Sequence, residues 1–317
     1  MPSYSGIWTL SQQFQAVGQG LWPPNFVPPE TFAIFALGLT ACGNVTTRDK
    51  YTYSGCAVSA GGAATVASCR GSAAGNSTTG IFALGLTCGR VTTRNKYTYA
   101  GDVVSAGGAA TTAAAAGSAT GNSTVGIFAL GTAPCRVTTR DKYTYSGCVV
   151  SAGGAATTAS SNGSAAGNST VGIFALGTGC GGGTVTTRDK YTYSGCVVSA
   201  GGAATAASRL GSATGNSTVG IFALGCAAGA STTRDKYTYS GDVVSAGGAA
   251  TVASQVGSAA GNSTVGIFAL GGDSGFTPLT TRNKYTYSGD VVSAGGAATT
   301  ASRNGSAASN GTSGVNI

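Results

Sequence analysis

The chain contains no histidine, one methionine and few charged residues, which make up 8% of its 317 positions. Without histidine it lacks the commonest general base and the usual partner of a catalytic serine or cysteine. Its glycine-rich strings are not followed by the Lys-Ser/Thr of a phosphate-binding loop. We therefore expect a protein that is not an enzyme and that binds no cofactor.

Metal sites and membrane spans are also not expected. The nine cysteines include no C-x-x-C spacing, and no histidine is present to complete a zinc site. No apolar run approaches the ~18 residues that a membrane-spanning helix needs. The N-terminus has no basic stretch followed by an apolar core, so we expect no secretory signal.

The low charge implies a surface made mostly of Ser, Thr, Gly and Ala. Glycine is abundant, at 54 residues, but it follows no Gly-X-Y period, which excludes collagen. Such a surface suits either a protein packed into a larger assembly or one that presents a hydroxyl-rich face.

An internal repeat dominates what the chain does contain. The string TTR(D/N)KYTY(S/A)G occurs six times, with steps of 46, 46, 48, 46 and 48 residues between its arginines. A second string, IFALG, recurs in register with it. A fixed period of this length predicts an array of identical supersecondary units that bury their apolar faces against each other. The repeated arginines are Arg48, Arg94, Arg140, Arg188, Arg234 and Arg282.

One unit reads as four short strands. In the third unit, residues 126–131 form a short apolar segment, 142–145 alternate Tyr with polar residues, 149–152 are rich in valine, and 163–166 are small. Four strands in about 46 residues is the size of one propeller blade, and small residues suit its crowded inner strand. A stacked β-solenoid is the alternative, although its usual coils are shorter.

The two ends of the chain predict how the ring closes. The first unit begins at its second strand, 32–37, and the chain ends with the missing first strand, 305–308. A C-terminal strand that completes the first blade leaves only short, protected edges. The sequence therefore predicts an all-β fold, a six-bladed β-propeller over residues 31–317.

The unit resembles the kelch motif, in which an apolar strand ends in paired glycines and a later strand carries a tyrosine. Gly271-Gly272 reproduces the paired glycines, and Tyr285 and Tyr287 fall where the tyrosine strand belongs. The other five units lack the second glycine, and Val291 and Val292 stand where kelch blades have a tryptophan. The resemblance covers roughly residues 31–317 and implies a kelch-like propeller.

Residues 1–30 lie outside the repeat and are expected to form a short helical and extended tether. Leu10 and Phe14 fall on one helical face with Val17, and a Pro-rich linker follows Trp22. Aromatic side chains of so short a segment must pack on the propeller or on a partner. The candidate attachment residues are Ile7, Trp8, Leu10, Phe14 and Trp22.

The phrase SGIWTLSQQFQAVGQGLWP resembles N-terminal segments of bacteriophage tail-fibre and other virion proteins. The resemblance covers about residues 5–23. It implies a structural protein of the virion that is made in the host cytoplasm, is exposed outside the cell and attaches to the particle by its N-terminus. The absence of a secretory signal agrees with that origin.

The repeated Arg-x-Lys supplies twelve of the 17 basic residues and most of the net charge of +8. Regular charges usually mark a solvated face, so we expect a ring of exposed strand residues, each partly offset by the aspartate that follows the arginine. The alternative is a basic ring that faces an anionic surface such as lipopolysaccharide or nucleic acid. Nucleic acid is disfavoured because stacking aromatics and basic runs are absent.

The loop after IFALG varies most between copies, whereas the strands barely vary. Variable loops on a rigid scaffold are where binding commonly resides, so these loops are the candidate recognition surface. Drift of unconstrained loops is the alternative explanation. The candidate recognition residues are Asn44, Arg90, Arg136, Asp273 and Phe276.

The cysteines fall in the variable loops, after the YSG turn, and at Cys69. Loop and turn cysteines of one blade lie about 20 Å apart at ~3.3 Å per strand residue, too far for a disulfide. Cys42, Cys69 and Cys88 could share one face, and they are disulfide candidates whose pairing the sequence leaves open.

Together these observations favour a virion structural protein of the tail-fibre or adhesin type that displays a propeller for host attachment. Its expected partners are other virion proteins, through the N-terminal segment, and a host-surface glycan. A homo-oligomer is compatible with the sequence. The alternatives are a purely architectural decoration or baseplate subunit and a cellular kelch-type protein-interaction module.

Overall fold

Each repeat folds into one four-stranded antiparallel sheet. The structure is a computed structural model and describes residues 31–311. Its six four-stranded sheets all have the same strand order. The predicted tether and its attachment candidates, Ile7, Trp8, Leu10, Phe14 and Trp22, lie outside the described residues.

The strands of each blade are named here inner, second, third and outer. For blades 1 to 6 the inner strands are Ser306–Ser309, Ser72–Gly75, Ser118–Gly121, Ser164–Gly167, Ser212–Gly215 and Ser258–Gly261. The second strands are Phe32–Ala36, Thr79–Ala83, Val125–Ala129, Val171–Ala175, Val219–Ala223 and Val265–Ala269.

The third strands are Arg48–Thr52, Arg94–Thr98, Arg140–Thr144, Arg188–Thr192, Arg234–Thr238 and Arg282–Thr286. The outer strands are Val58–Ala60, Val103–Ala106, Val149–Ala152, Val197–Ala200, Val243–Ala246 and Val291–Ala294. Two further antiparallel pairs of two-residue strands join Leu39–Thr40 with Gly43–Asn44 and Ser160–Ser161 with Thr178–Gly179. Three turns are 3-10 helical: Ala100–Asp102, Ser146–Cys148 and Ser288–Asp290.

The predicted strands are present with small shifts in their ends. The largest shift is in the third strand, which in the third unit begins at Arg140 and not at Lys142. This places the repeated arginine and aspartate inside the sheet.

Glycines on the inner and second strands let the backbone and the buried tyrosines of a blade approach closely. A Cβ atom on Gly80 would lie 2.9 Å from the Tyr99 hydroxyl, and one on Gly75 would lie 2.8 Å from the Thr79 carbonyl oxygen. Gly85, two residues after the second strand of blade 2, has a φ of +72°. Glycine adopts this left-handed backbone region without steric cost, which explains the repeated final glycine of IFALG.

The two ends of the described chain meet in one sheet. The C-terminal strand Ser306–Ser309 pairs antiparallel with Phe32–Ala36, with Ala33 opposite Ser309 and Ala36 opposite Ser306. Each inner strand also contacts the inner strands of both neighbouring blades, including blade 6 with blade 1 and blade 1 with blade 2. The sheets therefore form a closed ring, and the fold is a six-bladed β-propeller, as the sequence predicts.

The repeated arginines are buried between blades, which corrects the expectation of a solvated ring. All six are about 1% exposed. Neighbouring residues of a strand point to opposite faces. Arg94 therefore cannot pair with its own neighbour, Asn95, and it reaches the next blade, where it donates to Asp141 at 2.7 Å. Neither these arginines nor their partners can face an external anionic surface.

The same contact recurs at every blade interface and closes on itself. Each guanidinium also lies over the phenylalanine of the next blade, as Arg94 does over Phe128 at 4.6 Å. The six pairs are Arg48–Asn95, Arg94–Asp141, Arg140–Asp189, Arg188–Asp235, Arg234–Asn283 and Arg282–Asp49. This circuit is named the interface ring.

The repeated lysines are partly exposed, and three of them pair with aspartates of the next blade. Lys50, Lys190 and Lys236 pair with the turn residues Asp102, Asp242 and Asp290 at 2.9–3.1 Å. Their side chains keep about a quarter of their surface exposed. Such exposed pairs add little stability, typically below ~1 kcal/mol each.

Candidate recognition face

Two ends of the propeller carry different loops. One end carries the loops between second and third strands and the connectors from each outer strand to the next inner strand. The other end carries the Asn-Ser-Thr turns between inner and second strands and the Tyr-Ser/Ala-Gly turns before the outer strands. We name these ends the variable face and the constant face.

The variable loops rise from identical stems. In each blade the residue after the second strand donates its N–H to the threonine before the third strand, as Leu84 does to Thr93 at 3.1 Å. A second bond joins the loop end to the terminal glycine, as Val91 does to Gly85. Because the stems are fixed, the sequence differences are confined to the loop tips.

A second variable element lies beside the loops and nearer the axis. It consists of the two residues before the glycine that precedes each inner strand. These dipeptides are 69–70, 115–116, 161–162, 209–210, 255–256 and 303–304. The first residue pairs with a variable loop, as Cys69 does with Leu86 through two 2.9 Å bonds. Sequence reasoning missed this dipeptide, although alignment of the copies around A-S-x-x-G-S would have revealed it.

The second residues of the dipeptides form a closed circuit of backbone hydrogen bonds. Each donates its N–H to the carbonyl oxygen of its counterpart in the preceding blade at 2.7–2.9 Å, and the Arg70 N–H closes the circuit on Asn304. All six have φ between +54° and +59°. Residues other than glycine adopt this region at a cost, so the strain persists only where the surrounding structure enforces it. The members are Arg70, Ala116, Asn162, Leu210, Val256 and Asn304.

All five candidate recognition residues lie on the variable face. Asn44 donates from its side chain to the Leu86 carbonyl at 3.4 Å, which links the loops of blades 1 and 2. Arg90 is exposed at a loop tip. Arg136 donates through Nε to the Ser161 hydroxyl at 3.2 Å, so it touches the neighbouring dipeptide.

The loop of blade 6 is the most distinctive. Asp273 accepts from the N–H groups of Gly275 and Thr277 at 2.9 and 2.8 Å, and the bond from Thr277 lowers the pKa of this carboxyl group. Phe276 is 40% exposed, and the Arg303 guanidinium lies 5.3 Å from its ring centre. Phe276 is one of the predicted recognition residues, whereas Arg303 belongs to a dipeptide that the sequence analysis did not indicate. The structure brings the two side chains into contact.

The three disulfide candidates are free thiols in the structure, as are the other six cysteines. Cys42 and Cys88 are exposed, whereas Cys69 is buried beneath the loops. Burial raises the pKa of the Cys69 thiol, and the nearby charges of Arg70 and Arg303 oppose that change. The three residues lie on the same face, and the structure contains no disulfide between them, although the sequence left their pairing open.

The constant face is occupied by structural hydrogen bonds. The Asn76 side chain accepts from the N–H groups of Thr78 and Thr79 and donates to the Ser123 carbonyl of the next blade at 3.0 Å. The same contacts to the next blade recur at Asn122, Asn168 and Asn216. This explains the invariant asparagine and threonine, but the serine between them is exposed in every such turn.

Within residues 31–311, no group of three or more His, Cys, Asp or Glu side chains is arranged to hold a metal ion. No helix in the same range is long and apolar enough to cross a membrane.

No protein-family model matches the chain, and no curated protein matches it. Among solved structures, 212 chains match. One, described as "Structure of YjhT", has a TM-score of 0.65 and 10% identity, and the match covers 84% of this chain and 95% of that chain. At this identity the likeness shows the propeller fold alone, which is consistent with an interaction module.

Proposed function

We propose that this protein is a non-enzymatic recognition module that contacts its target through the variable face. The observation that carries the proposal is the segregation of sequence differences. Both the loop tips and the dipeptides differ between copies, and both lie at the same end of the propeller. A rigid closed scaffold with variable loops at one end is a common design for binding.

The constant face argues against simple drift. Ser77, Ser123, Ser169, Ser217 and Ser263 are exposed, yet they are identical in every copy. If exposed positions varied freely, these serines would differ as often as the loop tips. The differences are concentrated at the variable face, since the constant face varies mainly at the Ser-or-Ala position of its Tyr-Ser/Ala-Gly turns and at the Asp-or-Cys position that follows them. This concentration supports selection for different contacts at the variable face.

We further propose that the module is displayed on a bacteriophage particle as a tail-fibre or adhesin type of protein. The support is the resemblance of residues 5–23 to virion proteins and the low-charge, hydroxyl-rich surface. Residues 1–30 would attach to other virion proteins, and the variable face would point outward for weak, repeated contacts to the host surface. A passive decoration subunit would share the attachment but not the binding.

The binding proposal is tested with the full chain and intact host cells. In one variant, the loops and dipeptides of blades 1, 2, 4, 5 and 6 are replaced by those of blade 3. The control carries Ser→Thr at the five exposed serines of the constant face. We expect the first variant to lose cell binding and the control to retain it. Unchanged binding by the first variant would contradict recognition through this face.

The virion assignment has a separate test. Particles purified from the culture that expresses the chain are probed with an antibody against it. We expect the chain in the particles, and expect W8A/F14A/W22A to reduce its incorporation. Detection only in the cellular fraction would overturn the virion assignment and leave the recognition proposal standing.

A further inference from the structure

The variable face is basic, and its positive charge comes from arginine alone. Five of the 17 Lys+Arg residues lie outside the repeated Arg-x-Lys, and all five are in variable loops or dipeptides. They are Arg70, Arg90, Arg136, Arg209 and Arg303. Of the carboxylates among residues 31–311, only Asp273 belongs to this face, where two backbone N–H groups already bind it.

Three of these arginines lie in neighbouring backbone segments of blades 1 and 2. The Arg70 N–H bonds the Asn304 carbonyl at 2.9 Å, so Arg70 and Arg303 lie in successive dipeptides of the backbone circuit. Leu86 pairs on one side with Cys69 and on the other with Arg90. We name Arg70, Arg90 and Arg303 the arginine sector.

The sector has unused capacity to bind an anion. None of the ion pairs formed within the described residues involves these three side chains. Arg70 and Arg303 also line shallow recesses between blades. A guanidinium presents a planar fork of N–H donors that matches carboxylate and sulfate groups, which a lysine does not.

The surroundings distinguish between kinds of anionic partner. Single-stranded nucleic acid is usually held by several stacking aromatics, but Phe276 is the only aromatic among the markedly exposed large apolar residues in the described part of the chain. Protein interfaces rely on clusters of aromatic anchors, and among the described residues this face exposes the single large aromatic side chain of Phe276. Loop threonines and serines are suited to sugar hydroxyls, and the arginines are suited to acid groups spaced along a chain.

We propose that the arginine sector binds an acidic polysaccharide, with carboxylate or sulfate groups on Arg70, Arg90 and Arg303. This inference rests on the proposed recognition role of the variable face and specifies its ligand class. Each contact is weak on its own, and repetition of acid groups along the polymer provides avidity.

The test measures binding of the full chain to pectate, dextran sulfate, neutral dextran and single-stranded DNA at two salt concentrations. R70Q/R90Q/R303Q removes the sector's charge. K96Q/K142Q/K284Q is the matched control, because it removes the same number of positive charges from the third strands. These three lysines face a blade that has cysteine at the position where other blades have the aspartate that pairs with lysine. Thermal unfolding of both variants verifies that they fold.

We expect pectate and dextran sulfate to bind more tightly than dextran and DNA, with affinity that falls as salt rises. The arginine variant should bind these acidic polymers about tenfold more weakly, as expected for the loss of roughly one net charge-assisted contact. The lysine variant should match the wild type. Equal loss in both variants, or tighter binding of DNA or dextran, would overturn the proposal. If R70Q/R90Q/R303Q still binds intact cells and the loop-replacement variant does not, the acidic ligand is rejected and the recognition function is retained.

Discussion

At the residue scale, the interface ring contains two unequal kinds of contact. Arg48 and Arg234 are as buried as the other four arginines, but they face the neutral side chains of Asn95 and Asn283. Burial lowers the pKa of Arg48 and of Arg234 to about 10, so both are still charged at neutral pH. A buried charge without an opposite charge is unfavourable, and these two interfaces should be the weakest.

We therefore predict that N95D stabilises the protein. A carboxylate at this position would pair with Arg48 and accept from the Thr65 hydroxyl, as Asp141 accepts from Thr111 at 2.6 Å. We expect the free energy of unfolding to rise by about 1–2 kcal/mol, the range for a hydrogen bond to a charged group. Thermal or denaturant unfolding measures it.

The reciprocal substitution D141N supplies the control. It converts a charged interface into the kind that Arg48 has, and it should lower stability by a similar amount. Destabilisation by both substitutions would show that the local fit of each side chain, and not the charge, determines the strength of the interface.

Thiol reactivity tests the cysteine assignments at the same scale. Cys42, Cys88, Cys135 and Cys180 are exposed, whereas Cys69 is buried and its pKa is raised. Because the thiolate is the reactive form, we predict rapid alkylation of the first four and slow alkylation of Cys69. Peptide mapping by mass spectrometry without reductant gives the order, and a cross-linked peptide that contains Cys42, Cys69 or Cys88 would contradict it.

At the element scale, the C-terminal strand closes the ring. Ser306–Ser309 supplies the buried Ala307 and Ala308 and pairs with the second strand of blade 1. The Ser309 hydroxyl also accepts from Tyr53 at 2.9 Å. Without this strand, Phe32–Ala36 would become an exposed sheet edge.

We predict that a chain ending at residue 304 loses most of its stability. The backbone bonds and buried alanines of the strand together amount to at least about 3 kcal/mol. A chain ending at residue 311 retains the strand and should unfold like the full chain. Equal melting temperatures for the two truncations would show that closure does not depend on this strand.

The strands were predictable because alternation of side chains is a local feature of the sequence. The closure was predictable because the first repeat lacks its first strand and the C-terminal residues supply a copy of it. The partner of each repeated arginine was not predictable in the same way, since the aspartate beside it in sequence points to the opposite face of the sheet. The dipeptides were missed because their two residues carry no strand pattern. Alignment of the copies shows that they vary, but only the structure shows that they hydrogen-bond to each other from blade to blade. The kelch and virion resemblances stay predictions.

At the scale of the whole molecule, buried tyrosines predict how the propeller responds to alkali. Burial raises the pKa of all twelve tyrosines in the described residues above the ordinary value. Unfolded tyrosines lose their protons near pH 10. Above about pH 10 the unfolded state therefore binds fewer protons than the folded state, and stability falls as pH rises. Burial also lowers the pKa of all six arginines of the interface ring, which acts in the opposite direction, but the twelve tyrosines outnumber them.

We predict one steep alkaline transition in which phenolate absorbance and loss of β-sheet circular dichroism coincide, well above pH 10. The denatured chain, titrated in strong denaturant, should ionise around pH 10 and is the reference. Gradual phenolate formation around pH 10 with the sheet signal intact would mean that these hydroxyls are accessible in the folded protein.

Recognition through the variable face is tested most directly by hydrogen–deuterium exchange of the full chain, with and without the surface polysaccharide extracted from a host that it labels. We predict added protection at residues 84–93 and 270–281 and at the amides of dipeptides 69–70 and 303–304, with no change at the Asn-Ser-Thr turns. Protection confined to the constant face, or spread evenly over all six blades, would contradict it.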